Sequence, residues 1–116
     1  MINREKFDET FHYFDKDVIV NIIDLFEKGL SERLMKIQKN IHEQDFDDLV
    51  VNVHSLKSVT GPFMAVAPYE LICRIEELAD QGSNQDLQEL YEKLKSSMDE
   101  LVIELTEIRK EQLISE

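Results

Sequence analysis

The sequence predicts an all-α protein, an antiparallel four-helix bundle with a short additional N-terminal helix. Only three glycines and two prolines interrupt the 116 residues, and no apolar-polar alternation bounded by turn residues marks a strand. Apolar residues instead recur every three or four positions through four long segments, which is the spacing of an amphipathic helix. Long helices with one apolar stripe each and short connections bury those stripes most simply as a bundle.

The first two helical segments precede the middle of the chain. A short helix is predicted at about residues 3–13. Three phenylalanines in it and directly after it are interpreted as core residues: Phe7, Phe11 and Phe14. The second helix begins at Asp15, a residue type that favours the N-cap position. Its predicted apolar stripe is Val18, Ile22, Leu25, Phe26, Leu30, Leu34, Ile37 and Ile41.

The third helix is predicted to start near Asp45, a capping residue type with Asp48 three positions on. Its apolar stripe is Phe46, Leu49, Val53, Leu56, Thr60 and Phe63. The pair Gly61-Pro62 should end or bend it, because proline cannot donate to the helix ladder and restricts the residue before it.

Two further helices complete the predicted bundle. Pro68 suits the first turn of the fourth helix, and Gly82 is expected to close it. The stripe of the fourth helix is Leu71, Ile72, Ile75, Leu78 and Ala79. Ser83 with Asp86 is expected to open the fifth. That stripe is Leu87, Leu90, Tyr91, Leu94, Met98, Leu101, Val102, Leu105 and Ile108, and residues 112–116 are expected to fray.

Composition limits the domain count and the class of partner. A chain of this length that is 42% apolar suits one core, so residues 1–116 are predicted to form a single domain. The net charge of −12 argues against binding to nucleic acid or to anionic membranes, because both need a basic surface. We therefore expect no nucleic-acid partner and no membrane partner.

Compartment is inferred from what the chain lacks. Cys73 is the one cysteine, so no internal disulfide is possible, and it is interpreted as a small core or boundary residue. No apolar run is long enough for a transmembrane helix, and residues 1–6 lack the apolar core of a signal peptide. These features predict a cytoplasmic protein, expected to be a monomer.

The chemistry of the chain centres on His54 in the third helix. Counting about 100° per residue places His54 roughly 120° from the middle of the apolar stripe, on the outer side of the helix. Its neighbours one and two turns away are Val50, Val51, Lys57, Ser58 and Gly61. Ser58 and Gly61 are small, so another surface could approach the ring closely.

The pattern His-x-Leu-Lys-small-x-x-Gly at residues 54–61 resembles the phosphoacceptor motif of histidine-containing phosphotransfer (HPt) domains. The surroundings are also similar, since Asp45 and Leu49 match an acid-rich turn and a leucine ahead of the histidine. An apolar helix after the histidine is matched by Ile72, Ile75 and Leu78. The resemblance spans the whole chain. It departs from the family at Ser58 and Met64, where glycines are usual.

The resemblance implies a phosphorelay carrier and not an enzyme. His54 would accept a phosphoryl group from an aspartyl-phosphate of a response-regulator receiver domain and pass it to another receiver, or the reverse. An exposed imidazole is partly neutral near pH 7 and can act as a nucleophile. The receiver would supply the metal ion and the acidic pocket, so no cofactor or metal is expected here. A hybrid sensor kinase is a further partner that the resemblance allows.

Roles around His54 follow from the same resemblance. Lys57, one turn on, would offset the charge of the phosphoryl oxygens. The expected docking surface for the receiver partner consists of Val50, Val51, Ser58 and Gly61.

A non-catalytic alternative remains open at this point, namely an adaptor bundle that binds a protein partner through one helix face. His12 and His42 are interpreted as surface residues without a role. No histidines lie four residues apart, so no local zinc site is predicted. The acidic pair Glu76-Glu77 is interpreted as part of a solvated face and not as an acid/base pair.

Overall fold

The computed structural model describes residues 1–114, and most of them are helical. The elements in chain order are α1 Arg4–Thr10, α2 Lys16–Glu43, α3 Phe46–Thr60, a 3-10 turn at Gly61–Phe63, α4 Val66–Asp80 and α5 Leu87–Ile114. The predicted all-α bundle of four long helices and a short N-terminal helix is confirmed. Within residues 1–114 no helix has the length and apolar character needed to cross a membrane. The end of the tail, residues 115–116, lies outside the described residues.

The four long helices form a closed ring in cross-section. Helix α2 packs against α3 and α5, and α4 packs against the same two helices. Near the α2–α3 connection Asn40 donates to Asp48 at 3.0 Å, and further from it Arg33 donates to Ser55, so α2 and α3 are antiparallel. Helices α2 and α5 are also antiparallel. Leu34 of α2 contacts Tyr91 of α5, whereas Glu27, earlier in α2, contacts Arg109, later in α5.

The predicted stripes of α3, α4 and α5 face the core, but that of α2 is wrong in its first half. Val18 and Leu25 are 44% and 62% exposed, whereas Ile19 and Ile23 are buried. The cause is visible in the sequence, where residues 18–26 are apolar at all but two positions and therefore do not define one helical face.

The start of α5 also differs from the prediction. Ser83 does not cap it, because its hydroxyl accepts a hydrogen bond from the Gln85 N–H in the connecting turn. Asp86 adopts a left-handed conformation with φ of 62°, and α5 begins at Leu87, which is fully buried. The end of α4 is as expected, since Gly82 follows it with φ of 64°.

The departure from the HPt pattern at Met64 falls in the bend after α3. Helix α3 ends at Thr60, as Gly61-Pro62 predicts, and Met64 closes the following turn with φ of 58°. Glycine adopts this left-handed conformation freely, whereas another residue there costs about 1–2 kcal/mol. The Met64 carbonyl accepts a hydrogen bond from Asn3 N–H at 2.9 Å, which ties the N-terminal segment to the bend.

The phenylalanines of the N-terminal region close one end of the core. Phe7 and Phe11 are buried, as predicted, and both rings stack on Phe63 from the bend. Phe14 lies beyond α1 and is 46% exposed, although its ring still meets the edge of Phe11 at a centroid distance of 5.3 Å. Helix α1 is thus shorter than predicted.

Candidate functional site

His54 lies past the middle of α3 on its outer side, as the helical count predicts. Its side chain is 68% exposed, while Val53 beside it is 1% exposed. Leu56 is fully buried and packs into the core below. Residues on both sides of the histidine therefore anchor the helix, and the ring projects from a packed surface.

Glu76 of α4 faces His54 across the α3–α4 groove. Its Oε2 lies 3.4 Å from His54 Nδ1, and its Oε1 accepts a hydrogen bond from Lys57 Nζ at 3.0 Å. The Glu76 side chain is only 19% exposed. One carboxylate therefore holds both the histidine and the lysine of the motif, and we call these three residues the His54–Glu76–Lys57 cluster.

The charges within this cluster support one another. The hydrogen bond from Lys57 is the largest influence on the pKa of Glu76 and lowers it from the ordinary 4.5; partial burial opposes this, and the contact with His54 lowers it further. The same hydrogen bond raises the pKa of Lys57 above its ordinary 10.5. At neutral pH the cluster therefore contains a carboxylate and an ammonium.

The Glu76 carboxylate also selects one form of the imidazole. A carboxylate can only accept hydrogen bonds, so a hydrogen bond in this 3.4 Å contact requires the hydrogen on Nδ1. The lone pair is then on Nε2, the nitrogen that does not face Glu76. In that tautomer Nε2 is the ring nitrogen that is able to act as a nucleophile.

Glu76 was interpreted from the sequence as part of a solvated face, and this is wrong because its side chain is only 19% exposed. The same interpretation holds for Glu77. Glu77 is exposed and pairs with Arg74 at 3.2 Å on the outside of α4. A register count could have found Glu76, because His54 and Glu76 each lie eleven residues from Ala65 in the connection between two antiparallel helices. The hydrophobic stripe alone does not mark it, since Glu76 lies at the edge of that stripe.

The four expected docking residues do not share one environment. Val51 is 62% exposed and Ser58 is exposed, so both are open to a partner, whereas Val50 is half-buried against the core. Gly61 is half-buried, and a side chain there would first meet the Tyr69 ring, 3.6 Å from the Cβ position. The structure therefore presents Val51 and Ser58 beside His54.

Ser58 does not interact with the imidazole itself. Its hydroxyl donates to the backbone carbonyl of His54 at 3.1 Å, one turn back along α3. The Ser58 side chain therefore lies against its own helix and projects little beside the ring, although the family's usual glycine is absent.

The other candidate groups stand apart from this site. His12 contacts the Tyr13 ring near α1, and His42 lies exposed in the last turn of α2. In the described part of the chain, no three His, Cys, Asp or Glu side chains are grouped so that they could hold a metal ion. Cys73 is half-buried on α4, in keeping with a boundary residue.

Comparison with protein families decides the identity of this bundle. The family model of the Hpt domain matches residues 21–109, from α2 into α5. The chain belongs to the Hpt domain family. No curated protein and no solved structure matches it significantly.

Membership sets the broad function of this Hpt domain. Hpt domains are phosphocarriers, not enzymes, and take part in phosphotransfer within two-component phosphorelays. They interact with response-regulator receiver domains and with kinases. The matched region contains the whole His54–Glu76–Lys57 cluster.

The depressed pKa of Glu76 makes a prediction about the pH dependence of stability. A carboxyl group whose pKa is lower in the folded state stabilises the fold above its unfolded pKa, and this contribution is lost as the pH falls through the folded value. The Glu76→Gln variant of this Hpt domain should therefore unfold more easily than the wild type at neutral pH. The difference should shrink as the pH falls below about 4.5.

Urea unfolding of both proteins between about pH 7 and pH 3.5 measures this difference. Glu77→Gln is the matched control, because Glu77 is exposed and its pair with Arg74 contributes little. A difference for Glu76→Gln that stays constant over this range would show that the carboxylate does not stabilise the fold through its charge.

Proposed function

We propose that His54 is the phosphoacceptor of this Hpt domain. It takes a phosphoryl group from the aspartyl-phosphate of a response-regulator receiver and passes it to another receiver, or runs the transfer in reverse. The observation that carries the proposal is the placement of the ring, which is 68% exposed with Nδ1 turned toward an ionised Glu76. This placement leaves Nε2 as the attacking atom.

The transfer exchanges one bond for another. Nε2 of His54 attacks phosphorus, the bond from phosphorus to the aspartate oxygen breaks, and the free carboxylate stays on the receiver. Because Nδ1 keeps its hydrogen, the ring gains positive charge as the new bond forms. The Glu76 carboxylate lies 3.4 Å from Nδ1 and stabilises that charge at the moment it develops.

Lys57 offsets negative charge in the cluster during the same step. Its ammonium has three N–H donors, and one of them holds Glu76 at 3.0 Å. A second donor can turn toward the phosphoryl oxygens while the first is kept, since Lys57 lies one turn from His54 on the same side of α3. In this proposal Lys57 offsets the phosphoryl charge and keeps Glu76 ionised.

The receiver approaches over the outer surface of α3. Val51 and Ser58 are exposed one turn before and one turn after the histidine and form the contact surface in this proposal. Val50 and Gly61 support it from the side, because both are half-buried. We also propose that residues 1–116 act as one domain, on the ground that helices α1 to α5 contribute to a single apolar cluster.

Substitution of His54 tests the acceptor directly. His54→Gln should abolish labelling by a panel of phosphorylated receiver domains, while the free energy of unfolding changes by no more than about 0.5 kcal/mol because the side chain is exposed. The label on the wild type should be labile in acid and stable in alkali. His42→Gln, a second exposed histidine on α2, is the control and should label normally. Label that survives His54→Gln would place the acceptor elsewhere.

Bulk at Ser58 tests the contact surface. Phosphorus must come within about 3 to 3.5 Å of the attacking nitrogen, and a displacement of about 1 Å can cost on the order of a hundredfold in rate. Ser58→Leu should therefore reduce receiver affinity and transfer rate together, by about tenfold or more. Ser96→Leu, at an exposed serine on α5, is the matched control. Equal melting temperatures with unchanged transfer in Ser58→Leu would contradict the assigned surface.

A further inference from the structure

Arg33 of α2 differs from the other arginines of the chain. Arg4, Arg74 and Arg109 each pair with a carboxylate at 2.8–3.2 Å. Arg33 makes no ion pair with any residue between 1 and 114, and its guanidinium instead donates to the hydroxyl of Ser55. In a chain with 25 acidic residues, a half-buried guanidinium without a carboxylate partner is conspicuous. Most of its five N–H donors remain available.

Arg33 lines a depression between α2 and α3. The depression has a volume of about 340 Å³ and is lined by Gly29, Glu32, Arg33, Lys36, Asn52 and Ser55. Arg33 lies along Gly29, whose Cβ position is 3.6 Å from Arg33 Nε. Asn52 and Ser55 line the depression from the α2-facing side of α3, whereas Glu76 packs against the α4-facing side of the same helix, where it contacts Lys57.

The charge around this depression is positive, although the chain carries −12 overall. Arg33 and Lys36 face a single carboxylate, Glu32, which pairs with Lys36 at 3.5 Å. Both members of that pair are well exposed, so the pair is weak and Arg33 stays uncompensated. Asp48, near the start of α3, accepts hydrogen bonds from the Asn40 and Asn52 amides.

We propose that this depression binds a carboxylate side chain on the docking surface of the receiver partner, and that Arg33 is the residue that recognises it. The proposal rests on the proposed role of His54, because that role brings the receiver to this side of α3. A guanidinium presents parallel N–H groups that match a carboxylate. Arg33 can bind a carboxylate in this way while another N–H group keeps the hydrogen bond to the Ser55 hydroxyl. Arg33 thereby sets which receivers dock, while the chemistry stays with the His54–Glu76–Lys57 cluster.

The salt dependence of receiver binding tests this role. The probe is the receiver domain that exchanges phosphoryl groups fastest with the wild type, fluorescently labelled and titrated at about 50 to 300 mM NaCl. Arg33→Gln should weaken its binding by about tenfold at low salt and make the salt dependence shallower. Arg33→Lys keeps the positive charge but loses the planar guanidinium. Its receiver affinity should lie between those of the wild type and Arg33→Gln, while the salt dependence stays like that of the wild type.

A matched control separates local recognition from overall charge. Lys93→Gln removes one positive charge from the exposed surface of α5, a helix that does not pack against α3. Its receiver affinity should change by less than about twofold. The proposal is overturned if Arg33→Gln binds the receiver as tightly as the wild type at every salt concentration, or if Lys93→Gln weakens binding as much as Arg33→Gln does.

A receiver-free reaction keeps this proposal distinct from the proposed function. Phosphoramidate, a small phosphoryl donor, should label His54 in Arg33→Gln at the wild-type rate, because no receiver carboxylate is involved. Loss of that label would mean that Arg33 acts on His54 itself and would overturn the docking role. Absence of His54 label in the wild type from every receiver would overturn the proposed function, and the docking role with it.

Discussion

The antiparallel packing of α3 against α4 is the constraint on which the site depends. It brings a carboxylate from one helix to a histidine and a lysine of the other, at distances of 3.4 and 3.0 Å. Val53 and Leu56 on α3 are buried next to the exposed ring, and Ile72 and Ile75 on α4 are fully buried beside Glu76. The position of the imidazole is therefore set by the core and not by a loop.

Local charges matter more at this site than the net charge of the chain. A phosphoryl group carries about two negative charges near neutral pH, and a chain of −12 would repel it at long range. At physiological salt, exposed charges more than about 8 to 10 Å apart are largely screened. At short range Lys57 lies next to His54 and is paired with Glu76, while Arg33 and Lys36 line the depression between α2 and α3. The site is thus locally suited to anions within an acidic protein.

Sequence periodicity was enough to predict the fold and the part of the site that lies on α3. The turn at Gly61-Pro62, the end of α4 at Gly82 and the outward position of His54 follow from local chemistry and helical spacing. The face of α2 could not be assigned at residues 18–26, because apolar side chains occupy nearly every position there. Glu76 was missed for a different reason: its role depends on which residue of another helix lies opposite, and neither propensity nor hydrophobic pattern contains that register. The same holds for Arg33 and Ser55.

In the proposed mechanism Glu76 holds the hydrogen of His54 on Nδ1, so that Nε2 accepts the phosphoryl group. Nitrogen-15 NMR of the phosphorylated chain, with the histidine nitrogens labelled, tests it most directly because the two ring nitrogens give separate signals. We expect phosphorus bonded to Nε2 of His54 and a hydrogen on Nδ1. A phosphoryl group on Nδ1 of His54 would contradict it, since that nitrogen faces the Glu76 carboxylate.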